Sequence, residues 1–378
     1  MRETGMTRKI PHPSWIEIDL NQFRKNLSFV RNHIGKSLYC LPIKGNAYGH
    51  GLCEIGTVAA SCGVDCLGVA YLQEGVKLRK AGITIPILVF GAIHEDQIPD
   101  LIEYGFEFTL SSKYKAKLVH DYCLKINKKC RVHAEIDTGM QRTGVRASSA
   151  IDFLEYIKSL ESLELVGIYS HFATADSPDH EFAQKQVKIF RELAALPFLQ
   201  DPPVVVHMAN SGGTAYFNNS HFHMVRPAQL SFGFYFEKTP PQFIDLSSCF
   251  SVKAKISYFK VVAAEQGISY GHTHVTSKQT RIVTIPIGYG DGYPRILSNR
   301  GSVLIRGKRF PIVGTICMDQ FMVDVGDQEV YVGEEAVLIG KQGEEEISLW
   351  EVAKLCDTIP NEILCGFNDR IPRVYHGK

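Results

Sequence analysis

Residues 37–51 read SLYCLPIKGNAYGHG, and the fold turns on how this stretch is understood. Residues 39–43 form a short apolar run without the polar alternation of a half-exposed strand. Such a run suits a strand covered on both faces, as in a parallel sheet flanked by helices. It closes on Lys44, which opens directly onto Gly-Asn-Ala-Tyr-Gly-His-Gly. A lysine at the end of a scaffold strand can be a solvated cation, a phosphate contact or an amine nucleophile. The rest of the chain has to decide among them.

Outward from this stretch the pattern repeats. Further β-rich apolar runs follow at 66–70, 86–90, 106–110, 131–136, 165–170, 204–207 and 222–225, making eight with the first. Amphipathic stretches such as 73–81, 112–125 and 179–196 lie between them and end at glycine, proline or loop residues. Eight strand-then-helix repeats in about 190 residues suit a (β/α)8 TIM barrel, with a doubly wound open sheet as the alternative. After residue 245 the texture changes, because SVKAKISYF, RIVTIPIGYGDGYP, SVLIRGKRFPIVG, FMVDVGD and EEAVLIGK alternate apolar with polar residues between glycine-containing turns. The sequence therefore predicts an α/β barrel over 1–245 followed by a C-terminal all-β domain over 246–378.

Composition narrows the function. A formal net charge of +1, with 45% hydrophobic and 21% charged residues, leaves no electrostatic footprint for nucleic acid or an anionic membrane, so small molecules are the expected partners. The longest apolar run, 85–90, is too short to span a bilayer, and residues 1–14 are basic without an apolar stretch behind them. Ten scattered cysteines lack a C-x-x-C pair and read as reduced, mostly buried thiols of a cytoplasmic protein. Neither they nor the fourteen histidines show metal-ligand spacing, so no metal is expected.

Functional residues of a barrel gather at the C-terminal ends of its strands. Lys44 follows the first run, Asp137 and Arg142 lie after the fifth, and His171 after the sixth. His207, Asn210 and Ser211 belong to HMANSGGT after the seventh, and Arg226 follows the eighth. The last two loops read Asn-Ser-Gly-Gly-Thr and Arg-Pro-Ala-Gln. Their backbone N–H groups near Gly212, Gly213, Ala228 and Gln229, with the Ser211 hydroxyl, suit an anion nest, with plain turn chemistry as the alternative. Taken singly, Lys44 reads as a surface cation, His171 as a structural histidine and Tyr270 as a strand residue. GYGDGY at 288–293 lacks G-x-G-x-x-G spacing and suits a tight turn better than a dinucleotide loop.

Taken together, KGNAYGHG, DTGMQRTG, SHFATAD, ANSGG, MVRP, SYGHTH, IGYGDGYPR and CMDQFMVDV follow one another in an order that resembles the alanine racemases, over residues 15–375. These are fold-type III pyridoxal 5'-phosphate (PLP) enzymes. The resemblance implies that Lys44 forms the Schiff base with PLP and that Tyr48, Ser211 and the Ala228 and Gln229 amides hold its phosphate, with Asn210 beside them. It places His171 and Arg226 against the cofactor ring, and Arg142, the Met318 amide and Tyr289 at the amino-acid substrate, with Glu135, His207 and Asp319 in support. It makes Tyr270 the second base, entering the barrel of the other subunit of a homodimer with shared active sites. The implied activity is interconversion of L- and D-alanine, supplying D-alanine for peptidoglycan. Removing an α-proton needs an electron sink, and racemisation needs a base on each face of the planar carbon, which gives Lys44 and Tyr270 complementary parts.

Two departures from the family pattern bear on chemistry. Glu135 stands where a carbamylated lysine is frequent, so its own carboxylate is expected to pair with Arg142. Asn361 stands where a tyrosine commonly reaches the cofactor phosphate, and the smaller side chain leaves room for serine as a further substrate. A PLP-holding barrel without catalysis and a fold-type III decarboxylase are the competing readings. The β domain with Tyr270 speaks against the first, and the setting of Cys317 and Met318 against the second.

Overall fold

All eight expected strands form, and they close on themselves. Leu38–Pro42, Cys66–Val69, Ile87–Val89, Glu107–Leu110, Cys130–Asp137, Leu163–Tyr169, Val205–His207 and Met224–Val225 pair in that order, every neighbour parallel. Met224 pairs back onto Leu38, so the sheet has no open edge and the doubly wound alternative falls. The computed structural model describes residues 12–177, 179–235 and 246–377.

Sequence chemistry explains the parts. Cys66–Val69 and Glu107–Leu110 are buried at every position, as strands between a barrel interior and an outer ring of helices must be. Helix Lys113–Lys125 begins where the Ser112 side chain accepts from the Lys115 N–H, and helix Leu20–Ile34 buries Leu20, Phe23, Leu27, Val30 and Ile34 along one stripe. Side chains alternate across a strand, so Glu107 and Thr109 share one face of their strand and His133 and Glu135 one face of the next, and all four are buried.

The chain divides into Leu20–Ser248 and a second unit made from both chain ends, Met1–Asp19 with Cys249–Lys378. This division differs from the expected barrel of 1–245 at its N-terminal end. Strand Ser14–Asp19 pairs antiparallel with Phe250–Lys255 and parallel with Arg373–His376, giving its alternately buried Ile16 and Ile18 a place in the second unit's core. The expected boundary after residue 245 adjoins 236–245, outside the described residues.

The second unit is a ten-stranded sheet running from Tyr258–Val262 through Thr280–Ile285, Phe321–Gly326, Lys308–Val313, Ser302–Ile305 and Glu335–Gln342 to Phe250–Lys255 and the terminal strands. It also carries two helices, Leu349–Leu355, capped by the Ser348 side chain, and Pro360–Gly366. Among the described residues no helix is long and apolar enough to cross a membrane.

Candidate active site

Lys44 leaves the first barrel strand into a left-handed turn. Gly45, Asn46, Ala47 and Tyr48 all have φ between 51° and 63°, a region that costs a residue with a Cβ about 1–2 kcal/mol. The turn is closed by i→i−4 bonds, Ala47 N–H to Ile43 O (2.8 Å) and Gly49 N–H to Gly45 O (3.0 Å). It is also held from outside. The Glu74 carboxylate accepts from the N–H groups of Gly45 (2.7 Å), Ala70 (2.9 Å) and Tyr71 (3.2 Å), and the Asn46 side chain accepts from Leu52 N–H (2.8 Å). These bonds hold the turn against several kcal/mol of local strain and so fix the direction in which Lys44 leaves the strand.

Arg226, at the end of the eighth strand, is 4% exposed. Its Nη1 donates to His207 Nδ1 (2.7 Å), and Nη2 donates to Ser170 O (2.8 Å), Met208 O (3.3 Å) and His171 Nδ1 (3.3 Å). The guanidinium also lies over the rings of Tyr169 and Phe90, 5.2 and 5.9 Å from their centroids. A buried cation is tolerable only when its donors are satisfied, and here neutral acceptors satisfy them. His171 sits well below the ordinary histidine range because of burial first and then the charges of Arg226, Arg142 and Lys44.

The loops after the seventh and eighth strands meet. Asn210 caps helix Ser211–Tyr216 by accepting from Gly213 N–H (2.9 Å), and Gln229 N–H donates to Ser211 Oγ (2.9 Å), leaving the Ser211 hydrogen to donate. Both amides expected to bind an anion are engaged within the chain, since Ala228 N–H reaches Arg226 O at 3.2 Å. The Tyr48 ring rests against Phe232.

The direct pairing expected between Glu135 and Arg142 is replaced by another contact. Glu135 is buried and accepts from Thr143 Oγ1 (2.9 Å), whereas Arg142 is exposed and acts on it through its field. Burial raises the Glu135 pKa, with Thr143 and the charges of Arg142 and Arg226 opposing.

The second unit holds the remaining expected residues. Tyr270 is 72% exposed, and its loop is fixed by Thr315 Oγ1 donating to Tyr270 O (2.8 Å) and Ser269 Oγ donating to Thr315 O (2.6 Å). Tyr289 and Met318, 44% and 52% exposed, lie on loops joined by Tyr289 N–H to Cys317 O (3.1 Å) and Gly290 N–H to Met318 O (2.8 Å). A methyl on Gly288 would sit 2.2 Å from Cys317 O, so only glycine allows this approach. Asp319 pairs with Arg370 (2.6 Å), which also reaches Asp291 (3.3 Å). Asn361 lies on helix Pro360–Gly366.

The strand-end rule passed over Glu74, Tyr169, His133 and Glu107. The last two carried a readable signal, since a polar residue at alternate positions of an apolar strand faces a barrel interior.

Comparison with known proteins agrees with this architecture. The family model described as "Alanine racemase, N-terminal domain" matches residues 18–235, and "Alanine racemase, C-terminal domain" matches 249–375. The chain is 38% identical to the alanine racemase of Halothermothrix orenii, covering 99% of each chain. It is 40% identical to that of Carboxydothermus hydrogenoformans, covering 96% of this chain and 99% of the other. Among solved structures, the alanine racemase of Clostridium difficile 630 superposes with a TM-score of 0.92 at 34% identity, covering 97% of each chain. That of Bacillus anthracis, with bound L-Ala-P, superposes at 0.90 and 34% identity, covering 98% of this chain and 96% of the other.

Proposed function

The chain belongs to the alanine racemase family and is an isomerase, and from that premise we propose that it interconverts L- and D-alanine with PLP by means of two bases, Lys44 and Tyr270 of the partner subunit. The observation that carries the reading is the buried Arg226 guanidinium at the end of the eighth strand, donating to His207, His171 and Ser170 O in the same closed barrel whose first strand leads into Lys44.

The donor set fits PLP. Lys44 supplies an amine on a rigid turn, Ser211 an O–H with its hydrogen to give, and Arg226 a guanidinium whose partners are imidazoles and carbonyls. Bound PLP supplies an electron sink for negative charge at the substrate α-carbon. Ser211, Asn210 and Tyr48 would hold its phosphate, the Ala228 and Gln229 amides would join them only by giving up Arg226 O and Ser211 Oγ, and His171 and Arg226 would lie against its ring. Lys44 takes or returns the proton on the D face, and Tyr270 of the partner subunit does so on the L face. Arg142, with Met318 of the partner subunit and Tyr289 of the partner subunit, receives the substrate, and Glu135 keeps negative charge near Arg142 with no carbamate, so activity is independent of bicarbonate.

The enzyme acts in the cytoplasm as a homodimer, supplies D-alanine for peptidoglycan, and accepts serine because Asn361 leaves room beside the substrate methyl. The purified protein is expected to absorb near roughly 420 nm and to racemise L-alanine, and Lys44→Ala to abolish both. Release of carbon dioxide in place of D-alanine would overturn the reading. The ratio of kcat/KM for L-serine and L-alanine tests the substrate range separately.

A further inference from the structure

Below the rim, a chain of polar side chains runs down the inside of the barrel. Arg226 Nη1 meets His207 Nδ1 (2.7 Å), His207 Nε2 meets His133 Nδ1 (2.9 Å), and His133 Nε2 meets Glu107 Oε2 (3.0 Å). Glu107 Oε1 then pairs with Arg131 (2.7 Å), beside a recess of about 310 Å³ whose lining includes Lys129 and Arg79. His133, His207 and Arg226 are almost wholly shielded from solvent, and Glu107 is buried.

We propose that Glu107 is a positioning residue for Arg226, fixing the proton order of His133 and His207 from the floor of the barrel. The order follows by elimination. A guanidinium only donates, so His207 Nδ1 must accept and its hydrogen must sit on Nε2. His133 Nδ1 must then accept and its hydrogen must sit on Nε2, where an acceptor is required. Glu107 is that acceptor. Both rings are therefore neutral Nε2–H tautomers, and reversing either would set donor against donor inside the barrel, at the cost of a buried polar group left unpaired.

The fold makes room for this chain. His133 faces Gly167 on the neighbouring strand, where the register shifts by a bulge between Val132 and His133. A methyl on Gly167 would lie 2.2 Å from His133 Nδ1, so the histidine occupies space that only glycine vacates. Tyr169 stacks on His207 at 4.9 Å and 20°, holding that ring in plane. Burial pushes the Glu107 carboxyl up, but the hydrogen bond from His133 and the charge of Arg131 outweigh it and keep the group below its usual range. An ionised carboxylate polarises both imidazoles and strengthens the Arg226 bond to His207.

The consequence for catalysis rests on the proposed role of Arg226, whereas the tautomers do not, and the experiment separates the two. In cofactor-free protein labelled with 15N-histidine, long-range 1H–15N spectra are expected to show His133 and His207 protonated at Nε2 alone. Glu107→Gln keeps shape and an acceptor oxygen but not the charge. It is expected to move the His207 Nδ1 resonance and, in the holoenzyme, to lower kcat by about tenfold with KM held within about twofold. Glu107→Leu, where it folds, is expected to mix the tautomers. A proton on His207 Nδ1 in the wild type overturns the proposal, as does folded Glu107→Gln with either the resonance or kcat unchanged. Absence of racemase activity with the tautomers as expected would sink the proposed function and leave the proton order standing.

Discussion

Burial at single residues sets how this protein responds to pH. His171 and His207 both titrate well below the ordinary histidine range, each because of burial first and the Arg226 charge second. The folded chain refuses protons that the unfolded chain accepts near about pH 6.5, so this stability is present above that value and lost as pH falls through it. Each group contributes a slope of up to about 1.4 kcal/mol per pH unit. Urea denaturation of the cofactor-free protein between about pH 7 and 5 is expected to show the loss, and His171→Gln to make it shallower; equal slopes would exclude this origin. Arg226→Glu should change the sign of the local effect, because a carboxylate at the head of the chain and Glu107 at its foot can both be satisfied only by adding a proton to the imidazoles. The same substitution is expected to raise transamination, seen as pyruvate, since a guanidinium donates a hydrogen bond but holds its proton. No pyruvate above the wild type would count against that role. That Lys44, Ser211 and Arg226 follow barrel strands was legible because apolar runs mark where those strands end. Glu107 and His133 act through partners on other strands, and no local pattern carries that pairing.

Among the elements, the left-handed turn after the first strand departs furthest from local preference. Asn46, Ala47 and Tyr48 would each favour negative φ in a free chain, and nothing local in KGNAYGHG announces a left-handed turn. What overrides propensity is a carboxylate from the next βα unit, which joins Gly45 to Ala70 and Tyr71. Glu74→Gln offers one acceptor oxygen where two are in use, so it is expected to cost about 1–3 kcal/mol. If the turn exists to aim Lys44, kcat should fall further than KM rises. Urea midpoints and steady-state kinetics on one preparation check this, and wild-type values in both would mean the turn is held by its own backbone bonds. The strands and long helices were legible for the opposite reason. In residues 66–69 and 113–125 propensity, period and burial agree, so local sequence suffices.

At the scale of the whole molecule, the second unit is assembled from both chain ends. Strand Ser14–Asp19 lies between Phe250–Lys255 and Arg373–His376, a sheet position set by side-chain fit with residues far along the chain. That is why the apolar–polar alternation of SWIEID did not reveal the sheet it joins. The same unit displays Tyr270, Met318 and Tyr289 to water while hydrogen bonds hold their loops rigid. Aromatic and thioether side chains kept exposed in ordered loops call for a covering surface, and the proposed second base makes a second copy of the chain the natural one. Activity should then belong to the dimer and not to the chain. On dilution, specific activity is expected to fall in parallel with the dimer fraction measured by sedimentation on the same samples, and to return on reconcentration. A monomer with full activity would require one chain to supply both bases, and would exclude Tyr270 of the partner subunit as the second.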